Sequence, residues 1–356
     1  MRHTPQQAFP TPRSDTDDCI TRVRGIELGH YSHPQRPTGC SVVVAREGAT
    51  AAVDVRGAAP GTRETDLLRA GNLVEQVHAV LLTGGSAWGL AAADGVVRWL
   101  EAQRIGLDTG YGKLPLVPAA VLFDLAVGDA RIRPDAACGY QACAAAGKHA
   151  HAPAGNIGAG TGATVGKLYG PACAMKGGAA SASITLNSIT VGALIACNAV
   201  GDVLDPATGA LLAGARTAPQ SLTLRNSTTS LLQGQAPSFA LPGTNTVIGV
   251  IATDAALSRP QLQRLAVAGH DGLARCISPA HTQLDGDTLF ALATAQAEPG
   301  EQTPDMITLS AMAAEAVSRA VLRAICAAQA LHLPDLWLPA WADLPHSGPD
   351  KTHKRC

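Results

Sequence analysis

At 356 residues the chain exceeds one ordinary domain of about 100–200, which leaves either two modest domains or one large layered one. Its 28 acidic and 27 basic residues nearly cancel, and charged residues are only 15% where about a quarter is usual, which excludes a polyanion-binding surface. Four each of Trp, Tyr and Phe are too few for a base-stacking platform, so nucleic acid is not an expected partner, and the 46% apolar share beside 37 Gly suits closely packed layers.

Residues 1–18 are polar, carry Pro5, Pro10 and Pro12, and read as a disordered leader. They lack the apolar segment of a secretory signal, and no stretch of about 18 apolar residues runs unbroken anywhere, so the expected compartment is the cytoplasm and no membrane partner is implied. The segments 38–45 (TGCSVVVA) and 50–57 (TAAVDVRG) read as strands paired antiparallel through a hairpin at 46–49. Leu67, Leu68, Leu73 and Val74 predict a helix over 64–77, and 78–85 (HAVLLTGG) a buried strand ending on a glycine turn. A helix over 86–100 follows, with Ser86 as its cap and Gly89, Ala93, Val96 and Leu100 on one stripe, which suggests a tight helix-on-sheet contact.

Beyond a Pro-interrupted apolar run at 114–125, a helical segment is expected near 135–147, then a Gly-rich run at 154–170 and two long strands over 181–204 that turn near 186–188. From 205 to 245 the composition shifts to Pro, Gly, Ser, Thr and Gln with little periodicity, reading as a loose connector. A strong strand occupies 246–255, a helix opens on Ser258 with Pro260 in its first turn, 284–294 is the next strand, and 306–333 reads as one long amphipathic helix. The segment from 336 reads as a C-terminal tail. Without a repeating βαβ rhythm, the order fits an α+β layered architecture rather than a doubly wound sheet.

The nine Cys show no Cys-x-x-Cys spacing and read as small core fillers, and His149 with His151 lacks neighbouring ligands, so neither a metal nor an organic cofactor is implied. The Gly-rich run is no phosphate loop: three residues, not four, separate Gly162 from Gly166-Lys167, and Leu168 stands where Mg²⁺ needs a hydroxyl. Backbone turns and close approach explain it better. The junction at Asn245-Thr246 carries more. A hydroxyl residue opening a buried strand after a long connector is where a self-cleaving chain places its nucleophile. Attack of Thr246 Oγ on the Asn245 carbonyl, then ester hydrolysis, would leave Thr246 as a new N-terminus whose α-amine, with a reference pKa of about 7.7–8.0, serves as its own general base. Thr at a strand start is also an ordinary occurrence, and both readings stand on spacing alone.

Four blocks, 82–96 (LTGGSAWGLAAADGV), 155–167 (GNIGAGTGATVGK), 245–254 (NTVIGVIATD) and 285–294 (DGDTLFALAT), together resemble the P1 family peptidases, the L-aminopeptidase/D-esterase and β-peptidyl aminopeptidase group. The resemblance spans residues 20–335. It implies a single catalytic domain over 19–335 with a four-layer αββα sandwich like that of the N-terminal nucleophile hydrolases, though connected differently. It further implies self-cleavage into fragments 1–245 and 246–356, release of N-terminal residues from small peptides, amides or esters, and a homotetramer of αβ units. By the same resemblance Thr246 is the nucleophile where other members have Ser, Asn198 supplies an oxyanion-hole amide, and Asp285 and Asp287 match a Ser and acidic pair. At i and i+2 on a strand the two acids would share a face, one holding the substrate ammonium or orienting the Thr246 amine. Two positions depart from the pattern. Phe123 stands where better-known members carry a Tyr hydroxyl, and Asp285 adds a charge beside Asp287 that would raise one of the two pKa values. The alternatives are a Thr-nucleophile acyltransferase of the ornithine acetyltransferase type and a non-catalytic scaffold with the same fold.

Overall fold

The computed structural model describes residues 18–147, 152–235, 243, 245–298 and 303–345, so most of the expected leader and the end of the tail, together with His149 and His151, lie outside the described residues. In chain order, β1 is Glu27–Ser32, β2 Gly39–Val55, β3 Thr62–Arg63 and β4 Gln76–Thr83. They are followed by α1 (Ala92–Ala102), β5 (Leu107–Asp108), β6 (Lys113–Leu114), β7 (Ala119–Val121) and α2 (Ala136–Ala144). Next come β8 (Thr164–Val165), β9 (Met175–Lys176), β10 (Gly178–Leu186), β11 (Ile189–Asn198), β12 (Asp202–Leu204), β13 (Leu211–Ala213) and α3 (Ser227–Leu232). The remainder is β14 (Thr246–Thr253), α4 (Arg259–Cys276), β15 (Ile277–Ser278), β16 (Thr288–Ala293), α5 (Met306–Cys326), β17 (Leu331–Leu333) and β18 (Leu336–Leu338).

A nine-stranded mixed sheet in the order β10-β11-β14-β16-β2-β4-β7-β3, with β1 added on β2, folds back on itself to make two facing sheets. Successive residues of each strand serve different layers, as the two-residue period of a strand requires. Ile195, Ile251 and Leu289 pack outward against Leu265, Leu273, Val317 and Val321 of α4 and α5. Their neighbours Leu194, Val250 and Phe290 turn inward to meet Val43, Val80, Leu82 and Leu122 of the other sheet. On the far side Val42, Val44 and Leu81 meet Ala93, Val96 and Leu100 of α1 and Ala142 of α2. The result is the four-layer αββα sandwich, a single α+β domain, and among the described residues no helix is long and apolar enough to cross a membrane.

The Ala- and Gly-rich composition has a steric cause. A Cβ on Gly95 of α1 would sit 1.7 Å from the Ala136 carbonyl oxygen, and one on Gly139 of α2 would sit 1.9 Å from that of Ala92, so these two helices cross backbone to backbone. Gly272 of α4 meets the Ala314 carbonyl of α5 in the same way. All four residues of the expected stripe on α1 are buried, and Gly89 lies against the carbonyl of Gly84 at the end of β4.

Several expected elements differ. The segments 38–45 and 50–57 do not form a hairpin; they are the two halves of β2, joined through an irregularity between Val44 and Ala49 where Gly48 takes φ +84°. One half pairs with β1 and β4 and the other with β16, so this strand carries the fold from one sheet to the other. Over 64–77 only Asp66–Leu68 makes a short 3₁₀ turn, with Glu64 in the left-handed region and Leu73 95% exposed, so helical spacing of Leu there has no surface to bury against. Ser86, at φ +54°, caps nothing; a 3₁₀ turn over Ser86–Ala91 leads into α1. The last helix stops at Cys326, and the tail expected from 336 begins with β18, which pairs with β17 and buries Leu338.

The connector 205–245 is built, not loose, over 205–235. Arg216 is fully buried and donates to the carbonyls of Ala172 (2.6 Å), Ala174 (3.2 Å), Ser221 (3.2 Å) and Trp337 (3.1 Å). Asp202 accepts from Ala215 N–H (2.9 Å) and Ser227 Oγ (2.8 Å), and burial raises its carboxyl to about 6. Polar side chains thus replace an apolar pattern as the organising contacts, which is why periodicity was silent here. Residues 236–242 and Thr244 lie outside the described residues.

Candidate active site

Thr246 opens β14, with every residue of that strand buried. On one side β14 runs antiparallel to β11, in a register that sets Asn198 opposite Thr246. On the other it runs parallel to β16, and a bridge between Asn245 and Asp285 extends that pairing back across the Asn245–Thr246 bond. The Thr246 hydroxyl donates to the Asn245 carbonyl oxygen, and Gly286 N–H donates to the same oxygen at 2.9 Å. The hydroxyl therefore lies against the carbonyl that precedes it, and that carbonyl is already polarised by a backbone donor. Gly286 has no room for a side chain, since a Cβ there would stand 2.9 Å from Thr246 Oγ1 and 2.6 Å from the Ala59 carbonyl oxygen. Thr246 is 3% exposed, but it borders a cleft of 270 Å³ shared with Ala59, Pro60, Ser86, Val121 and Phe123.

Asn198 ends β11 and is fully buried. Its Oδ1 accepts from Thr164 N–H (3.0 Å), the Thr164 hydroxyl (3.4 Å) and Lys167 Nζ (2.9 Å), which fixes the amide so that Nδ2 is the donor end; Nδ2 reaches the Phe123 carbonyl at 3.1 Å. Lys167 Nζ also donates to the Asn198 carbonyl at 2.9 Å. Burial pulls the Lys167 ammonium down to about 7 against the opposing charge of Asp285. Phe123 lines both the Thr246 cleft and a neighbouring apolar one of 200 Å³ that Lys167 and Leu338 also border.

Asp285 and Asp287 lie in the lead-in to β16, not within it, and their carboxylates engage different partners. Asp285 accepts from Thr282 N–H (2.9 Å), the Thr282 hydroxyl (2.6 Å) and Val200 N–H (3.4 Å). Burial first and the charge of Asp287 second raise its carboxyl, so the expected effect of paired acids falls on Asp285. Asp287 Oδ1 accepts from Val247 N–H at 2.7 Å, one peptide beyond Thr246, and Oδ2 accepts from His281.

The structure gathers all five residues singled out in the sequence, Asn198, Asn245, Thr246, Asp285 and Asp287, around one peptide bond. It adds two. Lys167 was legible as the lone charge in the otherwise uncharged run 154–170, a cost that calls for a buried partner. His281, in a polar turn six residues before Asp287, carries no sequence signal.

Comparisons with known proteins place the chain in a family. The profile of Peptidase family S58 matches residues 18–335. An uncharacterized aminopeptidase of Mycobacterium leprae is 47% identical over 341 residues, covering 88% of this chain and 91% of that protein. A 6-aminohexanoate-oligomer endohydrolase of Agromyces sp. is 32% identical over 313 residues, covering 84% of each. Among solved structures, the L-aminopeptidase D-Ala-esterase/amidase of Ochrobactrum anthropi, described as a variant of the Ntn hydrolase fold, superposes with a TM-score of 0.68 at 20% identity, over 94% of this chain and 93% of that one.

Proposed function

Since the chain belongs to Peptidase family S58 and is a hydrolase of aminopeptidase type, we propose that it cleaves itself at Asn245–Thr246 and works through the new N-terminal Thr246. Within the family we assign it to the L-aminopeptidase/D-esterase and β-peptidyl aminopeptidase group. The observation that carries this reading is the Asn245 carbonyl, which receives the Thr246 hydroxyl and Gly286 N–H together. In self-cleavage Thr246 Oγ bonds to the Asn245 carbonyl carbon, the peptide C–N bond breaks, and the hydroxyl proton ends on the Thr246 nitrogen. Water then hydrolyses the ester, releasing the Asn245 carboxylate and restoring the hydroxyl.

In turnover the free α-amine takes the proton from its own hydroxyl as Oγ attacks the substrate carbonyl. Asn198 Nδ2, its orientation held by Thr164 and Lys167, is the donor for the developing oxyanion. Asp287, anchored one residue from Thr246, orients the amine, while Asp285 sustains the charge of Lys167. The substrate enters the cleft beside Phe123 and is a small peptide, amide or ester. Because one relative bears the name 6-aminohexanoate-oligomer endohydrolase, the amides tested should include ω-aminoacyl as well as L-, D- and β-aminoacyl anilides.

A denaturing gel with N-terminal sequencing tests the reading. Wild type should give two fragments, the smaller beginning at Thr246, whereas Thr246→Ala should remain a 36.3 kDa chain without hydrolysis. An intact wild-type chain whose hydrolysis survives Thr246→Ala would refute it.

A further inference from the structure

We propose that His281 is a positioning residue whose imidazolium clamps Asp287 and offsets its charge, keeping the Thr246 α-amine in the neutral form that accepts a proton. The inference rests on the reading of Thr246 as an N-terminal nucleophile and extends it to a residue that neither the sequence pattern nor the resemblance supplied.

The geometry is specific. His281 holds φ +56°, a left-handed conformation uncommon for non-glycine residues in general but favoured by His together with Asn and Asp. That turn aims two donors of one residue at one oxygen: the backbone N–H lies 3.2 Å and Nδ1 2.8 Å from Asp287 Oδ2. With Val247 N–H on Oδ1 at 2.7 Å, the carboxylate is fixed from both sides. Because its partner there is a carboxylate, Nδ1 carries a proton. Nε2 is buried and has no partner among the described residues.

The surrounding charges leave the pairing to Asp287 alone. From α4, the His270 ring meets the His281 ring edge-on at 4.9 Å, but burial pulls His270 down to about 4, so it is neutral and its Nε2 bonds the Asp54 carbonyl at 3.1 Å. From the end of β2, Asp54 and Arg56 pair with each other at 3.0 Å, and Arg56 also faces Asp271 of α4 at 3.8 Å. Lys167 acts on the acid pair Asp285 and Asp287 from the Asn198 side. For His281 itself, burial and the charge of Arg56 work against the cation, yet the hydrogen bond and charge of Asp287, with the His270 backbone, outweigh them and the net shift is upward.

After self-cleavage the Thr246 nitrogen is an amine one residue from that carboxylate. An uncompensated carboxylate would favour the ammonium form and withdraw the general base near neutral pH. An imidazolium on the far oxygen of Asp287 reduces that field without entering the reaction.

The test uses the full-length protein with His281→Asn and His281→Ala. Asn tolerates the left-handed turn and keeps a donor for Asp287 but carries no charge. Both variants should still cleave at Asn245–Thr246 on a gel, because a peptide nitrogen does not titrate. In turnover of an aminoacyl anilide, the rising limb of kcat/KM for His281→Asn should move alkaline by about half to one pH unit, a loss of about 3–10-fold at pH 7 that recovers by about pH 9. His281→Ala should show the same displacement with a lower plateau, and the profile of either variant suffices. A cleaved variant whose profile superimposes on wild type overturns the role of His281 alone. A wild-type chain that hydrolyses the anilide while uncut overturns the Thr246 reading and this proposal with it.

Discussion

Asn198 and Thr246 face each other across the β11–β14 ladder, the last residue of one strand paired with the first of the other. Eight consecutive pairs, from Val191 with Thr253 to Asn198 with Thr246, hold that register. Both faces of β11 are buried and apolar, so patterning alone would not penalise a slip. The tight turn at Asn187 and Ser188, both at positive φ, sets the register of the β10–β11 hairpin on the other side of β11.

Asn198→Ala removes the amide donor and is expected to lower kcat about 10²–10³-fold with little change in KM, the pattern of an interaction made mainly in the transition state. Steady-state kinetics on an aminoacyl anilide measures it. A rise in KM with unchanged kcat would assign Asn198 to ground-state binding instead.

Gly286→Ala places a methyl 2.9 Å from Thr246 Oγ1 and 2.6 Å from the Ala59 carbonyl oxygen, closer than Cβ atoms pack. The hydroxyl must leave the Asn245 carbonyl or the backbone must shift, and Gly286 N–H moves with it. Self-cleavage should slow at least about 10-fold, since a displacement of about 1 Å can cost 10²-fold. A time course of fragment appearance reads this out, and cleavage at the wild-type rate would show that the hydroxyl is not confined there.

Thr246 was readable from its place at the head of an apolar strand after a long connector, whereas the roles of Asn198, Asp285 and Asp287 came from the family resemblance and His281 from neither. The hairpin near 187 and the Ser258 start of α4, where Ser258 N–H bonds Gln261 Oε1 at 2.9 Å, follow from local turn and cap chemistry. The crossing of β2 between sheets was not visible, because a bulge around Gly48 and a hairpin share the same glycine signal. Arg216, Asp202 and His281 were silent for another reason: each acts through a contact with residues distant in sequence or through a backbone conformation, and neither leaves a periodic trace.

Lys176 is fully buried beneath the Gly-rich run, donating to the carbonyls of Gly160 (3.1 Å), Ala163 (2.8 Å) and Gly177 (2.9 Å). Burial pulls its ammonium from 10.5 to about 7. Between those values the unfolded chain holds a proton that the folded one has released, so this residue makes stability rise with pH from about 7 upward. Denaturant unfolding at pH 7.0 and 8.5 should show wild type gaining up to about 2 kcal/mol relative to Lys176→Met, at about 1.4 kcal/mol per unit. Equal pH responses in the two proteins would mean that Lys176 keeps its proton in the fold.

Phe123 offers the most direct route to a gain of function. Its ring shares the cleft with Thr246, and its carbonyl accepts the Asn198 amide, so the residue is tied by backbone to the expected oxyanion donor. Phe123→Tyr adds one hydroxyl to a ring already placed and removes no contact. A second donor near the developing charge should raise kcat by up to about 10-fold, less than the cost of deleting an optimised donor because the new one has no partner fixing its direction. KM should change little, since the charge that the hydroxyl meets forms only in the transition state. Kinetics of Phe123→Tyr on L- and β-aminoacyl anilides decides the matter. An unchanged or lowered kcat would place the ring edge away from the reacting carbonyl and leave Asn198 as the group that stabilises the oxyanion.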